Sequence, residues 1–258
     1  MAKQIWLAAS KSIQGGRDYQ EDECTFSALP ERDGEAAILA VLADGMGGHA
    51  SGAVASGVAT QSFVESFMAG EGEMAERLRQ SLIAANDAVA ARSENDPDVT
   101  GMGCTMVGLV ARAGQLDWIS VGDSPLWLYS AGALQRLNED HSMMPVLQAR
   151  VSRGELTASA LSSHPSRNAL RSAVVGEDIP LVDLATMPLQ AGADDVLVLA
   201  SDGLCSLTDE QIAAILHQSA GADAQTIADR LVGAVDRLGL PDQDNTTVVV
   251  LPPQRSQR

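Results

Sequence analysis

CTMVGLVARAGQLDWISVGDSPLWLYSAGAL, residues 104–134, is the stretch whose reading decides the fold class. Three apolar or β-branched runs follow one another here, at Cys104–Ala111, Gln115–Val121 and Leu126–Tyr129. Short glycine-containing segments, ARAGQ at 111–115 and YSAGAL at 129–134, supply the turns. A parallel pair needs a crossover of about a dozen residues or more, so connections this short impose antiparallel hairpins.

Further strand-like runs lie at Gln4–Ser10, Ala36–Ala43, Leu181–Thr186, Val196–Ala200 and Thr246–Leu251. Helical patterns separate them. Ala50–Met68 is rich in Ala, Val and Ser, and Glu73–Arg92 sets Met74, Leu78 and Leu82 four apart, with Ile83 and Val89 on the same face. Thr208 precedes DEQ, a capping box for a helix through about Gln218. Ala224–Leu238 carries Ile227, Leu231, Val235 and Leu238 in one stripe. Strands cluster and helices come in pairs, which predicts an α+β layered fold rather than a doubly wound sheet.

No repeat or low-complexity linker divides the chain, so residues 1–258 read as a single domain. Residues 145–180 differ in composition. Pro145, Pro165, Pro180, Gly154, Gly176 and the arginines 150, 153, 167 and 171 suit a surface flap better than a core.

Composition excludes several function classes. The formal net charge of -17 repels phosphate backbones and anionic membranes, so neither nucleic acid nor a membrane is an expected partner. Hydrophobic content is 45% but aromatics only 3%, so packing falls to Ala, Val, Leu and Ile. Cys24, Cys104 and Cys205 are odd in number and form no CxxC, which reads as reduced thiols in a cytoplasmic protein. The apolar stretch Ile5–Ala9 is too short for a signal-peptide core, and no run approaches a membrane span.

The chemistry sits where apolar strands end. VLADG ends on Asp44, SVGDS carries Asp123, LASDG ends on Asp202, and Asp244 in PDQDNTT directly precedes a strand. RDYQEDE adds Arg17, Glu21 and Asp22. One DG or DN alone is an ordinary turn. Several carboxylates converging on one space would raise each other's pKa and destabilise the fold unless divalent cations neutralise them. Oxygen-only ligands point to Mg²⁺ or Mn²⁺; zinc would call for His or Cys at spacings that His49, His141, His164, His217 and the cysteines do not offer. Glycine after Asp44 would let a backbone carbonyl approach an ion unobstructed.

The ordered set GGRDYQEDE, VLADGMGGHASG, GCTMVGLV, SVGDS, NEDHS, LASDGL and DNTTVVVL resembles the PPM, or type 2C, metal-dependent serine/threonine protein phosphatases. The bacterial single-domain branch is the nearest match, and the motifs span Arg17 to Thr247. The resemblance implies a four-layer α-β-β-α sandwich with two Mg²⁺ or Mn²⁺ ions at one end. It implies that Asp44 bridges both ions, that the Gly45 carbonyl joins one of them, and that Asp202 and Asp244 complete that ion's shell. Asp22 would serve the other ion largely through water, with Glu21 alongside, and Asp123 would help hold a third, weaker ion. Arg17 would grip the phosphate; Thr105, Asn245 and Asp140 would support from behind. The reaction implied is attack of a water bridging two ions on phosphoserine or phosphothreonine, by a monomer opposing a bacterial Ser/Thr kinase or acting on its targets.

Two departures from the family pattern stand out. Met46, as in many bacterial relatives, occupies the place where many eukaryotic members carry a histidine that can donate a proton, and Pro125 the place where the family often has arginine after GDS. His141 reads as a hydrogen-bonding core residue, His164 and His217 as surface residues, and the three tryptophans as core. A cysteine-based phosphatase needs Arg six residues after its Cys; Pro30, Val110 and Gln211 stand there instead, which excludes that class. A silent scaffold and a small-molecule phosphatase remain the competing readings.

Overall fold

The computed structural model describes residues 4–32, 35–47, 51–112, 114–189, 192 and 194–255. Along these the chain runs β1 (Gln4–Trp6), β2 (Ala9–Ile13), β3 (Asp22–Arg32), β4 (Glu35–Met46), α1 (Ser51–Ala69), α2 (Met74–Asn95), β5 (Gly103–Cys104), β6 (Met106–Arg112), β7 (Gly114–Val121), β8 (Leu126–Ser130) and β9 (Ala133–Arg136). It continues through α3 (Met144–Ser152), α4 (Ala158–Ser162), β10 (Asp183–Leu189), β11 (Val196–Ala200), α5 (Asp209–Gln218), α6 (Ala224–Asp236), β12 (Thr246–Leu251) and β13 (Pro253–Arg255).

The strands form two antiparallel sheets, ordered β10-β7-β6-β4-β3, with β5 added beside β4, and β2-β12-β11-β8-β9. β1 and β13 make a separate pair near the two ends of the described chain. The hairpins anticipated from residues 104–134 are β6–β7 and β8–β9.

Strand alternation explains the layering, because successive side chains face opposite sides of a sheet. On β4, Leu39, Val41 and Ala43 join a core with Phe63, Phe67, Leu78, Leu82 and Val89 of α1 and α2. Ile38, Ala40 and Leu42 of the same strand face a second core between the sheets, with Leu197, Leu199, Val249 and Leu251. Val196, Val198, Val248 and Val250 face a third core against Ile212, Leu216, Ile227, Leu231 and Val235 of α5 and α6. Three apolar spaces thus separate four layers, α-β-β-α.

Capping residues define the second helical pair. Thr208 and Gln211 form the reciprocal capping box of α5. Asp223 caps α6 by accepting from the Thr226 amide.

Several expectations are corrected. The single strand read at Gln4–Ser10 is two: β1 pairs with β13, while β2 pairs with β12. The eleven-residue β3 has no counterpart in the sequence reading. It is a sheet edge of mixed polarity containing Pro30, so it lacks the apolar run of an interior strand. Ile83, assigned to the apolar face of α2, is 45% exposed, and Leu238 lies beyond the end of α6 at 39% exposure. The expected helix start at Ala50 and His49 fall outside the described residues.

Residues 145–180 carry α3 and α4 and are largely exposed. The segment is still anchored: Leu147 and Val174 are buried, and Val174 exchanges backbone hydrogen bonds with Cys104 at 2.9 and 3.0 Å. Trp6, Trp118 and Trp127 are buried, as their setting in strands predicts.

Candidate active site

β3 and β4 place two carboxylates face to face, because Asp22 and Asp44 are register partners on adjacent strands. The Asp44 amide donates to Thr105 Oγ1 at 3.1 Å, and the Thr105 amide returns to the Asp44 carbonyl at 2.8 Å. Thr105 Oγ1 also meets Ser124 Oγ at 2.7 Å, which links the Asp44 strand end to the loop holding Asp123. Gly45 follows Asp44 because nothing larger fits. A Cβ there would stand 2.3 Å from the Gly52 carbonyl oxygen and 2.5 Å from that of Glu21.

The second sheet supplies the other half. Its β11 ends at Ala200, and Ser201 then joins the sheets: its hydroxyl donates to Asp22 Oδ2 at 2.7 Å and accepts from the Thr247 amide at 2.9 Å. Asp202 opens a 3₁₀ turn over Asp202–Ser206. Asp244 precedes β12, and Asn245 beside it organises the loop that carries Arg17. Asn245 Oδ1 accepts from the Glu21 amide at 2.8 Å, while its Nδ2 donates to the carbonyls of Gln14 and Tyr19 at 2.8 and 2.9 Å.

A groove of about 610 Å³ opens at this end, and Arg17, Asp123, Asp202 and Asp244 are among its lining residues. Asp22 and Asp44 are not among its lining residues, but both interact electrostatically with the carboxylates that are. Asp44 is raised well above the ordinary carboxylate value of 3.8, first by burial and then by Asp22, Asp202, Asp123 and Asp244 together. Burial, followed by neighbouring carboxylates, raises Asp22 and Asp202 to about 6 and Asp123 to about 7. The Glu21 carboxyl is also raised by burial, with the Gly52 amide at the start of α1 pulling it back.

A cluster of this kind needs a counter-charge. Arg17 provides one, pairing with Asp244 Oδ2 at 2.5 Å. Arg136 donates to the Asp123 carbonyl at 2.8 Å and lies 3.6 Å from Asp140. Among the described residues, Asp22 Oδ1 and Glu21 Oε1 are nevertheless buried without a hydrogen-bond partner. Among the described residues no three His, Cys, Asp or Glu side chains are already drawn to a common chelating spacing. Two of the carboxylates are committed to other groups, Asp244 to Arg17 and Asp22 to Ser201. The donor set still fits a hard divalent cation: it is all oxygen, mutually repelling, and holds orphaned carboxylate oxygens.

Other expectations find their places. His141 is buried and its Nδ1 accepts from the Gly122 amide at 3.3 Å, so it supports the Asp123 loop as a neutral ring; burial lowers its pKa. Met46 Cε packs against Gly103. Cys205 lines the groove, but desolvation and Asp202 push its thiol up to about 12, so it is no thiolate at neutral pH even though the residue is exposed. Ser201 was missed from sequence. Its only signal is the position between a buried apolar strand and Asp202, which any serine could share.

Known proteins resemble this chain in sequence and in fold. The family model described as protein phosphatase 2C matches residues 17–233. That span includes Asp22, Asp44, Asp123 and Asp202; Asp244 and Asn245 lie beyond it and rest on the geometry above. The chain is 34% identical over 218 residues to the serine/threonine protein phosphatase PstP of Mycobacterium tuberculosis, covering 83% of this chain. It spans only 40% of that relative's length. It is 30% identical over 200 residues to the serine/threonine phosphatase stp of Listeria monocytogenes, covering 76% of this chain and 77% of the relative. Among solved structures, the M. tuberculosis PstP/Ppp phosphatase superposes with a TM-score of 0.77 at 32% identity, over 96% of this chain and 98% of that one. The PstP catalytic domain in complex with two manganese ions gives 0.75 at 30% identity, over 97% and 99%.

Proposed function

Because the chain belongs to the protein phosphatase 2C family, we propose that it is a metal-dependent phosphatase acting on phosphoserine and phosphothreonine in proteins. The observation that carries this reading is the carboxylate cluster around Asp44, whose burial and mutual repulsion oppose ionisation and which divalent cations would neutralise.

Asp44, Asp22, Asp202, Asp244 and the Gly45 carbonyl would hold two Mg²⁺ or Mn²⁺ ions, with a third, weaker position at Asp123. Such ions lower the pKa of water and draw charge from phosphoryl oxygens. The chain's own residues do the rest. Glu21, Thr105 and Asn245 keep the ligand loops in place through the contacts described above. Arg17 stands at the groove beside Asp244, where its planar fork suits phosphoryl oxygens and their growing charge. Met46 cannot donate a proton where family members can carry histidine, so we assign protonation of the leaving oxygen to water.

The domain boundaries follow the same reading: residues 1–258 act as one catalytic domain, with residues 145–180 as a flap. Arg167 and Asn168 of that segment line the groove. The fitting partner is a phosphoprotein, a Ser/Thr kinase or its targets, met by a cytoplasmic monomer. No helix among the described residues is long and apolar enough to cross a membrane.

The test is hydrolysis of p-nitrophenyl phosphate and a phosphothreonine peptide with Mn²⁺, with and without chelator. We expect activity that EDTA abolishes and that Asp44→Asn and Asp202→Asn each remove. Turnover that persists in excess EDTA, or in both variants, would overturn the proposal.

A further inference from the structure

Gln243 is the residue where three loops of the site meet. Its backbone carbonyl accepts from the Gly16 amide at 2.8 Å, next to Arg17. Its side-chain amide Nε2 lies 3.1 Å from the Gly203 carbonyl, next to Asp202. The same nitrogen lies 3.2 Å from the Asp244 carbonyl and 3.2 Å from Thr246 Oγ1. One residue therefore adjoins the chain neighbours of two groove carboxylates and of the groove arginine.

The junction is dense. Gln243 is 6% exposed, and Gly203 is pressed so close that a Cβ would stand 2.1 Å from the Asn245 carbonyl oxygen. Two amide hydrogens face three acceptors, and loss of the Gln243 side chain removes this donor from the buried Gly203 carbonyl, whereas the Asp244 carbonyl also accepts from the Thr246 hydroxyl at 3.2 Å. Among the described residues its Oε1 has no hydrogen-bond partner, so this amide is held by what its Nε2 donates to.

We infer that Gln243 is a positioning residue that sets the separation of Asp202 and Asp244 and thereby the affinity of the site for divalent cations. This rests on the phosphatase reading above. Outer residues that orient metal ligands typically govern about 10–100-fold in affinity. An amide serves here because it donates to the carbonyls without adding another carboxylate to the cluster.

The experiment is calorimetric titration of the full chain with Mn²⁺, comparing the parent with Gln243→Met, which keeps the length of the side chain and removes the donor. Thr208→Ala is the control: it loses the α5 capping box and some stability at a place outside the site. We expect Gln243→Met to bind Mn²⁺ about tenfold more weakly. The Mn²⁺ concentration for half-maximal turnover should rise in step, while kcat at saturating Mn²⁺ stays within about twofold. Thr208→Ala should bind as the parent does. If Gln243→Met does not fold, Gln243→Asn, which keeps an amide but draws its donor back by one methylene, carries the same expectation. Unchanged Mn²⁺ affinity in a folded Gln243 variant would overturn the inference, as would an equal loss in Thr208→Ala. A parent that binds no Mn²⁺ at all would overturn the phosphatase reading and this inference with it.

Discussion

Replacing Asp44 by Asn should make the metal-free protein more stable while removing its activity. Asp22 and Asp202 rise from 3.8 to about 6 in the folded chain. At about 1.4 kcal/mol per pH unit, each ionised carboxylate costs the metal-free fold about 3 kcal/mol. Asp44 is raised in the same direction, first by burial and then by four neighbouring carboxylates. Asn keeps the shape and removes the charge. Because neighbours share these penalties, a net gain of about 2 kcal/mol is a fair figure. For a domain of this size that is a rise of about 4–8 °C in Tm.

The pH dependence gives the argument its sign. A carboxyl whose folded pKa lies above its unfolded value binds more protons in the native state between those two values, so stability falls as pH rises through that window. The window here runs from about 4 to about 6 for Asp22 and Asp202 and extends to about 7 for Asp123. Differential scanning calorimetry in EDTA at pH 7.5 should therefore show the full advantage of Asp44→Asn. At pH 5, where these groups are largely protonated, the advantage should shrink. A variant no more stable than the parent at pH 7.5, or a difference indifferent to pH, would refute the account of the cluster.

Three further predictions follow from the same contacts. Gly45→Ala forces a Cβ within 2.3 Å of a backbone carbonyl, so urea unfolding should show a loss of about 3 kcal/mol or more, with Mn²⁺ binding impaired. Arg17→Ala breaks a pair whose side chains are 52% and 38% exposed, so Tm should move by the equivalent of less than about 1 kcal/mol. The same variant should lose roughly 100-fold in kcat/KM on a phosphothreonine peptide, the worth of about 3 kcal/mol of charged hydrogen bonding. Thr208→Ala should cost about 1 kcal/mol by chemical denaturation and leave turnover unchanged.

Much of this was legible in the sequence because the signals were local. Short glycine turns dictated the β6–β7 and β8–β9 hairpins, and the Thr208–Gln211 spacing dictated the start of α5. The carboxylates announced themselves by their type and by ending apolar runs. What escaped depends on contacts distant in the chain. β3 is held by pairing with β4 rather than by an apolar pattern of its own. The division between β1 and β2 reflects partners near residues 248 and 254. Ser201 and Gln243 act through hydrogen bonds to residues whose proximity only the folded sheets create, and the Arg17–Asp244 pair joins positions 227 residues apart.

The central claim is that this carboxylate cluster is a two-metal site organised on Asp44. Anomalous diffraction from crystals grown with Mn²⁺ tests it most directly. The account predicts two strong manganese peaks at the end of the sandwich, both in contact with Asp44, and their loss in Asp44→Asn. Manganese bound only elsewhere on the chain, or peaks that persist at this site without the Asp44 carboxylate, would contradict it.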